Sequence, residues 1–150
     1  FESDVEIYQK DAVKLGKELY GFDIVYLDPP YNQHPYGSNY FMLNVILKNK
    51  ISRDVSKVSG ITKDWNRSDF NRETKTLESM EEIIKNLDSR FVVVSYNSEG
   101  FISFDEMTDM LERYGSLETV EIKYNTFRGS RNLRQRDIHV NEFLFVLERS

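Results

Sequence analysis

Residues 22–31 read Phe-Asp-Ile-Val-Tyr-Leu-Asp-Pro-Pro-Tyr. The first six, Phe22–Leu27, are a near-continuous apolar run, the pattern of a β-strand covered on both faces. The run stops at Asp28-Pro29-Pro30. Neither proline has a backbone N–H to give to a ladder, so the strand must end there. A carboxylate is left at the mouth of the strand, followed by two proline carbonyls and then the ring of Tyr31. Such a set can grip a planar group that carries an amino function. Asp28 and a proline carbonyl would accept its two N–H hydrogens while the ring of Tyr31 stacks on its face. The tetrapeptide alone reads more readily as a rigid strand-to-loop turn in which Tyr31 is a packing residue.

Working outward, Val5–Tyr8 reads as a short strand and Asp11–Leu19 as a helix stopped by Gly21. On the other side, Ser38–Leu47 reads as a helix with Phe41 and Val45 facing inward. Residues 49–75 are polar and lack clear periodicity. Leu77, Met80, Ile83, Ile84 and Leu87 then recur at helical spacing. Phe91–Ser95 is a second strand with the pattern of cover on both faces. Ser103 and Glu106 have capping-box spacing and open a helix whose stripe is Phe104, Met107, Leu111 and Tyr114, ending at Gly115. Leu117–Tyr124 and Val140–Leu147 read as a closing antiparallel pair. Strands alternating with helices imply an α/β domain around a mainly parallel sheet that ends in an antiparallel β-hairpin. Ligands of such sheets bind beyond the carboxyl ends of the strands, where Asp11, Asp28, Tyr96 and Asn97 fall.

The chain has 150 residues, enough for one domain. It contains no Cys, which excludes a disulfide scaffold, a thiol nucleophile and Cys-ligated metal. The only two histidines, His34 and His139, argue against a multi-His zinc site. No apolar run approaches the roughly 20 residues of a membrane span, and no signal-peptide pattern is present; no membrane partner is expected, and the cytoplasm is the default location. The net charge of −5 is unevenly spread. Residues 48–75 carry a net of +4 and residues 122–136 a net of +5, which leaves −14 for the rest. An acidic body with two basic segments suits a polyanion docked on one face. The second segment holds Lys123, Arg128, Arg131, Arg134 and Arg136 with no acidic residue among them. Phosphate contact and a solvated turn are both open to it.

Asp-Pro-Pro-Tyr directly after Phe22–Leu27 resembles the catalytic motif of adenine-specific (N6) DNA methyltransferases. The resemblance continues, in family order, over nearly the whole chain. Tyr31-Asn32-Gln33 and Tyr36-Gly37-Ser38-Asn39-Tyr40-Phe41 look like the loop and helix after the catalytic strand of the Dam-like group. Val94-Ser95-Tyr96-Asn97-Ser98-Glu99-Gly100 resembles its next strand and loop. Tyr124–Arg136 with Asn141-Glu142-Phe143-Leu144-Phe145 looks like its closing hairpin. The resemblance implies transfer of a methyl group from S-adenosyl-L-methionine to the exocyclic amino group of adenine. Hydrogen bonds to Asp28 and the Pro29 carbonyl would draw that nitrogen toward tetrahedral geometry and aim its lone pair at the methyl group. Tyr31 would stack on an adenine flipped out of double-stranded DNA. No metal and no covalent enzyme intermediate is required. Asp11 resembles the family's acidic acceptor for the cofactor's adenine amino group, and as a residue at the start of a helix it is also a favourable cap. Tyr96 and Asn97 either line the same pocket or pack as a buried strand end. Trp65 either anchors the core or reaches DNA.

One departure matters. The family binds its cofactor through a glycine-rich turn after the first strand, and the seven glycines here never occur as Gly-x-Gly. By analogy Val5–Tyr8 would be the third strand and Phe22–Leu27 the fourth. The chain is therefore expected to be the C-terminal part of an incomplete Rossmann-like methyltransferase domain. The first two strands and the main target-recognition segment would lie upstream of Phe1. Such a piece should bind cofactor weakly or not at all and should self-associate, or need its upstream segment, to cover the edge of Phe22–Leu27. The resemblance points to a bacterial or phage type of enzyme and admits a cognate restriction endonuclease as a companion. Two other readings stand beside it: an RNA adenine methyltransferase, and a nucleic-acid-binding or assembly module without catalysis. Amino-group methylases of RNA more often carry Asn at the position of Asp28, which favours DNA.

Overall fold

The structure, a computed structural model, describes residues 3–51, 54–63, 67–125 and 139–150. Its elements are α1 (Ala12–Gly16), β1 (Phe22–Leu27), α2 (Tyr36–Asn39), α3 (Phe41–Lys48), α4 (Glu73–Asn86), β2 (Ser89–Asn97), α5 (Phe104–Leu111), β3 (Gly115–Asn125) and β4 (His139–Arg149). Short 3-10 turns lie at Asp69–Asn71 and Glu112–Tyr114. The four strands form one open sheet in the order β1-β2-β4-β3. β1 runs parallel to β2, with Phe22 level with Ser89 and Leu27 level with Val94. β4 pairs antiparallel with β2 and with β3. The α/β class and the closing antiparallel pair are those that the alternating sequence pattern implies.

One face of the sheet carries the core. Val92, Val94 and Tyr96 of β2 stand opposite Leu147, Phe145 and Phe143 of β4, so these side chains share a face. Against it α4 sets Met80, Ile83 and Ile84, and α5 sets Met107, Met110 and Leu111. Each of these helices presents its apolar residues three and four apart, one stripe toward the sheet. Burying side chains of this kind stabilises by roughly 1.5–3 kcal/mol apiece.

Four expectations are corrected. Val5–Tyr8 forms no strand: it has no ladder, and Val5 and Ile7 are 73% and 91% exposed. An extended segment becomes a strand only by pairing, and among the described residues no strand lies beside it. Phe22–Leu27 is a strand but is not covered on both faces. Val25 and Leu27 pack on the core, while Phe22, Ile24 and Tyr26 are exposed. Among the described residues β1 has a neighbour, β2, along one edge only. In β2 likewise Val92 and Val94 are buried while Phe91, Val93 and Ser95 are half-buried. The Ser38–Leu47 helix divides at Tyr40 into α2 and α3; Phe41 and Val45 are half-buried, and Met42, Leu43, Ile46 and Leu47 are exposed.

The capping box is present. The Ser103 hydroxyl oxygen accepts from the Glu106 N–H at 3.3 Å. The Glu106 carboxylate accepts from the Ser103 N–H at 2.9 Å and from its hydroxyl at 2.6 Å. These bonds, the hydroxyl first, lower the Glu106 pKa below its usual value. A carboxylate whose folded pKa is lowered adds stability above its unfolded pKa and loses that contribution as pH falls through the folded value. Urea denaturation of Ser103→Ala should therefore show a loss of about 1 kcal/mol at pH 7. Glu106→Gln should be destabilising at pH 7 and neutral at acid pH; a cost independent of pH would contradict the box.

Candidate active site

β1 and β2 are parallel, so Asp28 and Asn97 emerge at the same edge of the sheet. Asp28 is exposed, and Pro29 and Pro30 are half-buried. The next residue turns inward: the ring of Tyr31 meets that of Tyr96 edge to face, with centroids 6.4 Å apart and planes at 75°. Donors from elsewhere in the chain hold the loop. The Tyr31 carbonyl accepts from the Phe101 N–H at 3.0 Å. The Asn32 carbonyl accepts from the side-chain amide of Asn71 at 2.9 Å. Asn32 Oδ1 accepts from the His34 N–H at 2.9 Å, a local turn that leads to buried Pro35.

Tyr96 is buried, and its hydroxyl accepts from the Ile102 N–H at 3.2 Å. Burial raises its pKa, and the Ile102 and Phe101 N–H groups oppose the rise. Asn97, also buried, donates from Nδ2 to Glu142 Oε1 at 2.5 Å and accepts the Glu99 N–H on Oδ1 at 2.8 Å. Asn97 and Glu142 are register partners across β2 and β4, which accounts for their meeting. The Ser98 N–H donates to the Asn141 carbonyl at 2.8 Å, and the Asn141 N–H donates to the Ser98 hydroxyl at 3.1 Å. The β2 end is thus stitched to β4. Burial, then the nearby carboxylates of Glu142, Glu99 and Asp28, push the Tyr31 pKa upward. Tyr36, raised by burial and by Asp28, stacks on Tyr40 with centroids 5.8 Å apart.

A cleft of about 1060 Å³ opens beside the loop, and Asp11, Tyr26, Asp28, Pro29, Pro30 and Tyr36 are among its lining. Asp11 caps α1, accepting the Lys14 N–H on Oδ1 at 3.1 Å, and so serves as a cap in the same cleft that Asp28 lines. Asp28, Pro29, Pro30 and Asp11 are therefore brought to one cleft, while Tyr31, the next residue of the loop, is outside its lining and packs on Tyr96. Arg128, Arg131, Arg134, Arg136 and Trp65 lie outside the described residues. β3 ends at Asn125 and β4 begins at His139 at the end of the sheet where β1 and β2 also end. The sequence reading passed over Asn71 and did not assign Glu142 a role. The strand register would have found Glu142 opposite Asn97; nothing local marks Asn71.

Residues 2–110 match the D12 class N6 adenine-specific DNA methyltransferases. The chain belongs to this family. It is 31% identical over 147 residues to the type II methyltransferase M.NlaIII of Neisseria lactamica, covering 97% of this chain and 43% of that one. It is 36% identical over 143 residues to the type II methyltransferase M.CviAII of Paramecium bursaria Chlorella virus 1, covering 95% and 41%. The modification methylase StsI of Streptococcus sanguinis is 32% identical over 149 residues, covering 95% and 22%. The chain thus spans about two-fifths or less of the length of these relatives. No solved structure matches it. Membership implies, for the family, a methyl donor and a DNA substrate. Among the described residues no helix is long and apolar enough to cross a membrane.

Gly100 governs how closely the loop of this D12 chain approaches Tyr96. A Cβ there would lie 2.8 Å from Tyr96 Cζ and 2.9 Å from the Asn97 carbonyl oxygen, so ring or backbone must shift. Gly100→Ala should cost about 1–3 kcal/mol by overpacking. Near-ultraviolet circular dichroism should register the displaced tyrosine; an unchanged spectrum and midpoint would refute the contact.

Proposed function

We propose that this chain is the C-terminal, catalytic-motif part of an adenine-specific DNA methyltransferase. The reaction is transfer of a methyl group from S-adenosyl-L-methionine to the exocyclic amino group of adenine in double-stranded DNA. The observation that carries the reading is Asp28-Pro29-Pro30-Tyr31 at the carboxyl end of β1, with Asp28, Pro29 and Pro30 sharing a cleft with Asp11, in a D12-family chain. The Asp28 carboxylate and the Pro29 carbonyl accept the two amino hydrogens of the base. Those bonds localise the nitrogen lone pair and point it toward the methyl donor. Tyr31, backed by Tyr96, stacks on the flipped adenine. S-adenosyl-L-methionine supplies the electrophilic methyl group. The cleft fits part of that cofactor: Asp11 is an acceptor for its adenine amino group, and Tyr26 and Tyr36 offer apolar surface.

The remaining cofactor contacts belong, in this reading, to another part of the same protein. Three observations support it: the 43% and 41% coverage of the two type II relatives, the sequence without Gly-x-Gly, and the open edge of β1 with exposed Phe22, Ile24 and Tyr26. An upstream segment, or a second copy, would cover that edge. The protein acts in the cytoplasm on DNA, in the manner of a modification enzyme paired with a restriction endonuclease. Arg128, Arg131, Arg134 and Arg136 contact DNA phosphates in this reading.

In the complete protein, Asp28→Ala should lower the single-turnover methylation rate by about 3–4 kcal/mol in the transition state, with cofactor affinity nearly intact. A rate within threefold of wild type would refute the role. For Tyr31, stacking is worth about 1–3 kcal/mol, so Tyr31→Ala should be severe and Tyr31→Phe mild. Fluorescence of 2-aminopurine at the target position should report failed flipping in the Ala variant only. Each arginine that contacts a phosphate should lower the salt slope of DNA binding by about one when changed to Ala. Unchanged affinity and slope in all four variants would leave those side chains in solvent.

A further inference from the structure

Asn71 sits 39 residues from Asn32 in sequence and is buried, yet its side-chain amide donates to the Asn32 carbonyl at 2.9 Å. Its own placement is tightly determined. The Ser68 hydroxyl accepts the Phe70 N–H at 3.0 Å, and the Asn71 N–H donates to the Ser68 carbonyl at 3.0 Å. Phe70 is in the core, and the Thr76 hydroxyl donates to the Arg72 carbonyl at 2.8 Å. The 3-10 turn is therefore fixed to α4 and to the core before its side chain reaches the loop.

Two consecutive carbonyls after the prolines are thus gripped from two directions: Tyr31 by Phe101 beyond β2, and Asn32 by Asn71 ahead of α4. Holding both peptide planes fixes the backbone around Asn32 and, with it, the direction in which the Tyr31 ring leaves the chain. We propose that Asn71 is a positioning residue for the Asp28–Tyr31 loop, acting through its amide donor on the Asn32 carbonyl. This rests on the methyltransferase reading above. A misplacement of the stacking ring by an ångström is enough to cost a large factor in rate even when the residue responsible touches no substrate. A merely structural Asn71 would instead lower stability and leave turnover alone.

The test uses the complete methyltransferase with Asp28→Ala as the reference for lost chemistry. Asn71→Asp keeps the shape and puts an acceptor against the carbonyl. Asn71→Leu keeps the bulk and removes the donor. Asn71→Gln keeps the donor. Asn71→Asp and Asn71→Leu should lower kcat about tenfold or more, with the KM for S-adenosyl-L-methionine within about twofold, and should weaken the 2-aminopurine flipping signal. Asn71→Gln should recover most of kcat. Hydrogen exchange of the amides of residues 31–36 should quicken in the first two variants. Recovery of kcat by Leu but not by Gln, or kcat and flipping within twofold of wild type in both Asp and Leu variants, overturns the proposal. Wild-type protein that fails to methylate adenine would refute the functional reading. The hydrogen exchange then decides on its own: unchanged exchange in residues 31–36 overturns the positioning role, and faster exchange upholds it.

Discussion

Two consecutive prolines remove the backbone donors at the point where β1 leaves the sheet. A loop that begins this way cannot be fixed by a ladder of its own. It has carbonyls to offer and must be held by donors that other elements bring. The structure meets this need at Tyr31 and Asn32, through Phe101 and Asn71. The rest of the arrangement depends on those donors being in position. Phe101 is in position because the β2 end is stitched to β4 through Ser98 and Asn141, and because the Tyr96 hydroxyl takes the Ile102 N–H. Asn71 is in position because its turn is anchored to α4 and the core. The carboxylate of Asp28 is thereby presented at the carboxyl end of β1 on a loop held by one backbone donor and one buried side-chain amide.

Much of this scaffold was legible in the sequence where the signal is local. α4 and α5 follow from apolar residues at helical spacing, and the Ser103–Glu106 box fixed the start of α5. The antiparallel β3–β4 pair followed from alternation. The errors lie where burial depends on something distant. Phe22–Leu27 has the composition of a strand covered on both faces, yet composition does not say what lies against the second face, and Phe22, Ile24 and Tyr26 are exposed. Val5–Tyr8 has strand propensity, and propensity without a neighbour gives no ladder. The site divides in the same way. Asp28–Tyr31 is contiguous and could be read as a motif. Asn71 and Glu142 act through contacts 39 and 45 residues away in sequence, which no window of the chain displays.

The charges around Tyr31 add a further constraint. Burial comes first, and the carboxylates of Glu142, Glu99 and Asp28 add to it, in pushing the Tyr31 phenol pKa above its ordinary value. A phenolate there would meet three anions, and a DNA phosphate would meet the same repulsion. A neutral planar base suffers none of it, and a cationic sulfonium would be attracted. Under the proposed function the interior of the site is thus suited to the base and the methyl donor and unsuited to the DNA backbone. Phosphates must then be met elsewhere. Lys63, Arg67 and Arg72 flank the turn that holds Asn71, and the arginine-rich segment between β3 and β4 attaches at the same sheet edge. Under the same proposal, the acidic body and the basic segments answer one requirement: the DNA backbone stays outside while a single base enters.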